Sequence, residues 1–175
     1  MLKIIGIVIV VAIALLLIYA STRPDSFHVE RSTRIKATPD KIFALINDLH
    51  QWEAWSPYAK LDPNMKTRYS GAASGTGAMY EWDGNSQVGS GKVTIADSTP
   101  VSRVAIKLDM FKPFEGHNDV VFTLQSEGDS TTVTWAMDGA SAFITKVMSV
   151  FFSMDKMVGG QFEEGLASLK GLAEK

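Results

Sequence analysis

The sequence predicts an α+β fold that combines an antiparallel sheet of about seven strands with one long C-terminal helix. Short alternating apolar runs fill residues 66 to 139, and apolar residues recur every three or four positions after residue 143. A continuous apolar segment precedes this domain at the N-terminus. With 175 residues, 46% of them hydrophobic and 21% charged, the chain has the size and composition of one globular domain.

The N-terminal segment Leu2 to Ala20 is apolar except for Lys3. A helix of this length is about 28 Å long, which matches the hydrocarbon core of a bilayer. The alternative is a cleaved signal peptide, but Ile18 occupies a position where the cleavage signature requires a small residue. We therefore predict a retained transmembrane anchor and linker over residues 1–24, and a folded domain over residues 25–175.

Charge and cysteine content exclude several classes of function. Outside Lys3 and Arg23 the chain has 15 basic and 19 acidic residues, and it lacks the basic stripe that phosphate backbones require. Nucleic acid is therefore not predicted as a partner. The absence of cysteine excludes a disulfide, a thiolate nucleophile and a cysteine-based metal site. The charges that flank the apolar segment leave the membrane side of the domain open.

The elements that follow the linker can be placed by local signals. Phe27 to Ala37 alternates as a strand does, and Thr38 and Pro39 then predict the start of a helix that runs to about Asp48. The segment WEAWSPY predicts a second short helix or turn that ends at Pro57.

About six further strands are predicted between residues 66 and 139, arranged as an antiparallel meander. The clearest strand faces are Val104, Ile106, Leu108 and Met110; Val120, Phe122 and Leu124; and Val133, Trp135 and Met137. The apolar stripe that predicts one long helix of about thirty residues comprises Val147, Phe151, Met154, Val158, Phe162, Leu166, Leu169 and Leu172. Close packing or a kink is expected at the pair Gly159 and Gly160.

The order of these elements and several motifs resemble a known superfamily. The motifs are FHVERSTRIKATPDKIFALINDLHQWEAWSPY, SGAASGTGAMYEWDG, TTVTWAMDG and MDKMVGGQFEEGLASLKGLAEK. The chain from Phe27 onward is similar to the polyketide cyclase/dehydrase-like branch of the START-like, SRPBCC superfamily, including bacterial members with an N-terminal membrane helix. The resemblance implies a helix-grip fold, in which the curved sheet wraps around the terminal helix and encloses a cavity for lipids, polyketides or other apolar molecules.

The resemblance implies a pocket between the sheet and the C-terminal helix. We predict an apolar small molecule or lipid as its ligand, with no cofactor and no metal. Trp52 and Trp55 are candidates for the pocket mouth, although packing in the core is the alternative interpretation of both. The predicted lining consists of Tyr80, Trp82, Phe122, Trp135, Met137, Met148 and Phe151.

Catalytic groups are weakly indicated. His117 and Asp119 share one face of a strand and are candidates for a base and its orienting partner. Glu81 and Asp83 alternate with the aromatic residues of their strand, so they are expected to face water unless the strand is reversed. Three functions therefore stay open: a membrane-tethered binding module, an enzyme of the cyclase, dehydratase or hydrolase type, and a module that binds a protein partner.

Overall fold

The computed structural model describes residues 1 to 175, except for the side chain of Leu2. A long N-terminal helix precedes the first strand, three short helices follow that strand, and six strands lead to two C-terminal helices. The elements are α1 (Leu2–Ser21), β1 (Ser26–Ile35), α2 (Pro39–Asn47), a 3₁₀ helix (Leu49–Ala54), α3 (Pro57–Leu61), β2 (Lys66–Gly71), β3 (Ala78–Asp83), β4 (Ser90–Thr99), β5 (Arg103–Lys112), β6 (Gly116–Glu127), β7 (Ser130–Ala140), α4 (Phe143–Phe151) and α5 (Met154–Ala173).

All seven strands form one antiparallel sheet in the order β1-β7-β6-β5-β4-β3-β2. The predicted fold class is confirmed: after β1 the chain builds a meander from β2 to β7, and β1 then closes against β7. Only one face of this sheet is packed against helices, so apolar and polar residues alternate along its strands. This alternation is why the strands could be predicted from the sequence.

The packed face, called here the inner face, carries the hydrophobic core. Val29 of β1, Ile106 of β5, Phe122 of β6 and Trp135 of β7 are all at most 4% exposed. Helix α5 lies against β1 and β7, while α2 lies against β5 and β6. Outer-face residues of the same strands are more exposed, as the two-residue period of a half-buried sheet requires.

Helix α1 is long and apolar enough to cross a membrane: Lys3 to Ser21 has a mean hydropathy of 3.0 and is 6% buried within the protein. Of the described side chains of α1, only Ala20 is buried and Leu16 half-buried. The predicted helix is therefore present. It contacts the rest of the chain through its C-terminal end, where α1 meets α4.

Two boundaries differ from the prediction. Pro57 begins α3 instead of ending a helix, which suits a residue without a backbone N–H at the first helical position. The C-terminal stripe belongs to two helices, because Phe152 is extended, with φ −129° and ψ 130°, and separates α4 from α5. Ser153 caps the new helix and accepts a hydrogen bond from the backbone N–H of Lys156 at 3.3 Å.

Candidate functional site

The inner face beneath α5 is filled by the protein's own aromatic side chains. Trp135 stacks on Phe162 of α5 with ring centroids 4.1 Å apart, and it lies 4.8 Å from Phe122 and 5.7 Å from Trp55. Phe122 and Trp135, both predicted to line a pocket, therefore pack in the core of the domain. Their large apolar areas stabilise the contact between α5 and the sheet.

Trp52 and Trp55 are held by hydrogen bonds to α2. The indole N–H of Trp52 donates to the carbonyl of Ile46 at 2.9 Å, and that of Trp55 donates to the carbonyl of Leu45 at 3.0 Å. Trp55 is fully buried, whereas Trp52 is half-buried. Both rings therefore hold the turn after α2 against the sheet. This is the role that the alternative interpretation, packing in the core, gives to the two residues.

Farther along the inner face, the strands β3 to β5 carry apolar residues that are only half-buried. We call this region the groove and define it by the half-buried Tyr80, Trp82, Leu108 and Met110 together with the buried Gly91 between them. The strand register places Tyr80 beside Val93 and Leu108, and Trp82 beside Gly91 and Met110. Because α5 lies against β1 and β7, the groove is the less covered half of the inner face.

The floor of the groove is set by the ring of Trp82. A Cβ atom at Gly91 would lie 2.5 Å from Cη2 of Trp82, so only glycine allows the ring to lie across β4 at this position. The indole N–H of Trp82 donates to the carbonyl of Val88 at 3.0 Å, which fixes the ring. Tyr80 follows in the stack, with its centroid 6.0 Å from that of Trp82.

Tyr80 places a phenol at this floor. Burial raises the pKa of Tyr80 well above its usual value, and the neighbouring Tyr69 and Glu53 add to this effect. The phenol of Tyr80 therefore keeps its proton at physiological pH and can donate a hydrogen bond. An apolar floor with few neutral polar groups is typical of sites for hydrophobic ligands.

Besides Phe122 and Trp135 in the core, three further predicted lining residues lie outside the groove. Met137 is buried beside Val120 of β6. Met148 and Phe151 of α4 are 43% and 64% exposed. Tyr80 and Trp82 are thus the two predicted lining residues that the fold brings together in an accessible position.

Two cavities lie at the β2 side of the sheet. One of about 210 Å³ is bordered by the 3₁₀ helix and by Tyr69 and Met79. The other, of about 400 Å³, is lined by charged residues that include Arg68, Glu81 and Lys112, and it also borders Trp82 and Gly91 of the groove. Neither cavity lies beneath α5.

The candidate acid and base residues lie on the outer face. His117 Nδ1 is 2.7 Å from Asp109 Oδ1, whereas Asp119 pairs with Lys107, so the carboxylate that contacts His117 in the structure is that of Asp109. Hydrogen bonding from His117 lowers the pKa of Asp109 below its usual value. The His117 side chain is 71% exposed, which is the environment of a surface ion pair.

Glu81 and Asp83 also face outward, as expected, with Tyr80 and Trp82 on the opposite face. Glu81 pairs with Arg68 at 3.9 Å and Asp83 with Lys112 at 3.7 Å. Within the part of the chain that the structure describes, no three His, Cys, Asp or Glu residues are grouped to hold a metal ion.

Arg31 is a feature whose role the sequence analysis did not identify. It lies on the inner face of β1, where its Nη1 contacts Asp155 at 2.9 Å and its Nε contacts Glu163 at 2.6 Å, both on α5. A Cβ atom at Gly159 would lie 2.2 Å from Arg31, so glycine at this position makes room for the guanidinium. The sequence offered one signal for this ion cluster: Arg31 is a charged residue on an otherwise apolar face of its strand.

Two buried polar atoms have no partner among the described residues: Nε1 of Trp135 and Oε1 of Gln161. A buried donor without an acceptor is costly, by about 1–3 kcal/mol, unless water or a ligand reaches it. The indole N–H of Trp135 is therefore the one buried side-chain donor without a partner on the inner sheet face in the described part of the chain.

The arrangement of one seven-stranded sheet, short helices after β1 and a long C-terminal helix defines a helix-grip domain of the START-like, SRPBCC superfamily. Within it, the chain belongs to the family described as polyketide cyclase / dehydrase and lipid transport, whose model matches residues 26–174. Lipids and polyketides are both hydrophobic, and membership supports a module for hydrophobic ligands. Comparison with curated protein sequences gives no significant match.

Solved structures show the same fold at low sequence identity. A protein from Chromobacterium violaceum has a TM-score of 0.60 and 13% identity, and the match covers 87% of this chain and 99% of that one. The Aha1 dimer from Colwellia psychrerythraea gives 0.57 and 17%, covering 85% and 96%. The di-domain ARO/CYC BexL from the BE-7585A biosynthetic pathway gives 0.62 and 12%, covering 90% of this chain and 53% of BexL.

Proposed function

We propose that this protein is a membrane-tethered module that binds a lipid-like or polyketide-like molecule between the inner sheet face and the C-terminal helices. The observation that carries this proposal is the groove, where aromatic and aliphatic side chains of β3 to β5 stay half-exposed although they belong to the packed face. Such side chains gain about 25 cal/mol for each Å² that a ligand removes from water. The neutral phenol of Tyr80 supplies a donor that can orient the ligand.

Helix α1 supports the tether. Its apolar length matches a bilayer core, and only its last turns contact the domain. Residues 22 to 25 alone separate it from β1, so the domain is held close to the membrane surface. A hydrophobic molecule dissolved in the bilayer would then have a short path to the groove.

Native mass spectrometry of the detergent-extracted protein tests the binding site, after a wash that removes loosely bound lipid. We expect a bound small molecule in the wild type and in Lys107→Gln, an outer-face control. Leu108→Gln, one residue away in the groove, is expected to lose about tenfold or more occupancy, because burying an unpaired amide costs about 1–3 kcal/mol.

Equal occupancy in the two variants would remove the groove from the proposal, and the absence of any bound molecule from folded wild type would remove the binding function. Circular dichroism of both variants provides the folding control.

A module that binds a protein partner is the second candidate. The filled core around Trp135 and the exposed apolar side chains of α4 favour it, because a large exposed apolar patch marks an interaction surface. Co-purification of a stoichiometric protein without a small molecule would support this candidate over the first.

A further inference from the structure

Helix α4 carries its apolar side chains on the side that faces away from the domain. Phe143, Ile144, Met148 and Phe151 are between 43% and 64% exposed, and at 100° per residue they share one face of the helix. On the opposite side, the Lys146 side chain is only 11% exposed. A helix at the surface of a soluble domain turns its apolar face inward, so α4 is inverted relative to that rule.

The position of α4 is fixed next to the C-terminal end of α1. The two helices are in contact, and the described side chains of α1 that lose exposure are Leu16 and Ala20, one turn apart. Lys146 of α4 forms an ion pair with Asp25, and the backbone N–H of Ser141 donates to the carbonyl of Asp25 at 2.7 Å. The contact therefore covers about 6 Å of the α1 axis at the end nearest the domain.

The same end of the sheet carries further exposed aromatic residues. The register aligns the start of β1 with the end of β7, the end of β7 with the start of β6, and the start of β6 with the end of β5. The β5–β6 connection therefore lies at the end from which α1 leaves. Phe111 and Phe114 at this connection are 52% and 57% exposed.

We propose that the apolar face of α4 lies in the interfacial layer of the bilayer that α1 crosses, so that lipid covers this face. The proposal rests on the tether described above. Interfacial amphipathic helices bury about 5–10 Å of depth, which agrees with a contact limited to the last turns of α1. Trp82 and Met110 lie toward this end of β3 and β5, so the arrangement turns the groove toward the lipid.

Single-cysteine labelling of the full chain in phosphatidylcholine/phosphatidylglycerol nanodiscs tests this arrangement, since the natural sequence contains no cysteine. An environment-sensitive fluorophore is placed at Val10→Cys in α1, at Ile144→Cys in α4, and at Asp129→Cys in the β6–β7 turn at the opposite end of the sheet. We expect lipids with a nitroxide on the acyl chain to quench Ile144→Cys about threefold or more strongly than Asp129→Cys. Aqueous iodide should show the reverse order.

The Val10→Cys label separates the two proposals. If Val10→Cys is quenched by lipid but Ile144→Cys by iodide, the tether stands and the placement of α4 is overturned. If iodide reaches Val10→Cys, the tether itself fails, and the placement of α4 fails with it. If Ile144→Cys is shielded from both quenchers, a protein covers the face and the lipid assignment is wrong. Phe143→Cys, on the same face, must reproduce the Ile144→Cys result for the proposal to stand.

Discussion

Gly165 meets Trp135 where α5 crosses β7, and this contact sets how closely the helix approaches the sheet. A Cβ atom at Gly165 would lie 2.7 Å from Cζ3 of Trp135 and 3.0 Å from Cδ of Pro57. Gly160, five residues earlier on the same helix, has no atom within 4 Å of such a Cβ position. The two positions therefore differ in the space that they offer an added side chain.

Alanine at these two positions is expected to change the free energy of unfolding in opposite directions. Gly160→Ala should stabilise the domain by up to about 1 kcal/mol, because alanine has the higher helix propensity. Gly165→Ala gains the same propensity but forces Trp135 or Pro57 to move, and overpacking costs about 1–3 kcal/mol. Urea unfolding monitored by circular dichroism measures both; a stabilised Gly165→Ala would show that the contact with Trp135 relaxes freely.

At the scale of single residues, the sequence predicts which side chains point to the inner face but not which of them meet a helix. Phe122, Trp135, Tyr80 and Trp82 are all at inward positions of the alternation, and in the structure each of them lies on the inner face. Whether a side chain is covered depends on where α5 crosses the sheet, which alternation along one strand does not encode. Trp135 is therefore in the core and Trp82 in the groove, although both were expected to line one pocket.

The ion cluster between β1 and α5 belongs to the scale of elements. Arg31 lowers the pKa of Asp155 below its usual value, chiefly through the side-chain hydrogen bonds between them. A carboxyl whose pKa is lower in the folded state stabilises that state above its unfolded pKa. This contribution is lost as the pH falls through the folded value.

Asp155→Asn is therefore expected to lower the urea midpoint at pH 7 and to have a progressively smaller effect below about pH 4, where the carboxyl of the unfolded chain is protonated. Asp119→Asn on the outer face is the matched control, since its pair with Lys107 is exposed on both sides and such pairs contribute little. A midpoint difference for Asp155→Asn that stays constant from pH 7 to about pH 3 would contradict the role given to this carboxyl.

Element boundaries show a second limit of sequence reasoning. The apolar stripe continues through Phe151, Met154 and Val158 without a change of spacing, so its period predicts one helix across residues 143 to 172. The helix is interrupted at Phe152, and Ser153 then caps the start of α5. A single serine inside an apolar stripe is only a weak sequence signal for a new helix start. Beyond this break, α4 keeps the exposed apolar face described above.

At the scale of the whole molecule, the strand register joins features that are distant in sequence. Three segments lie at one end of the sheet: residues 16 to 25, the β5–β6 connection around Phe114, and α4. Each apolar segment was visible in the sequence, but their common location depends on the closure of β1 against β7, which brings residue 26 beside residue 140. An exposed apolar end of this kind marks an interaction surface, and α1, which is long and apolar enough to cross a membrane, leaves the domain at the same end.

Removal of residues 1 to 21 is expected to make the remaining domain self-associate, because the apolar face of α4 would then have neither α1 nor lipid beside it. The shortened chain keeps every strand of the sheet and all of the family match, so it should fold. Sedimentation velocity at micromolar concentration should show dimers or larger species. The double substitution Ile144→Glu and Met148→Glu should restore a monomer, because the added charges make burial of this face costly. A shortened chain with native circular dichroism that stays monomeric without these substitutions would show that the exposed face of α4 does not need to be covered.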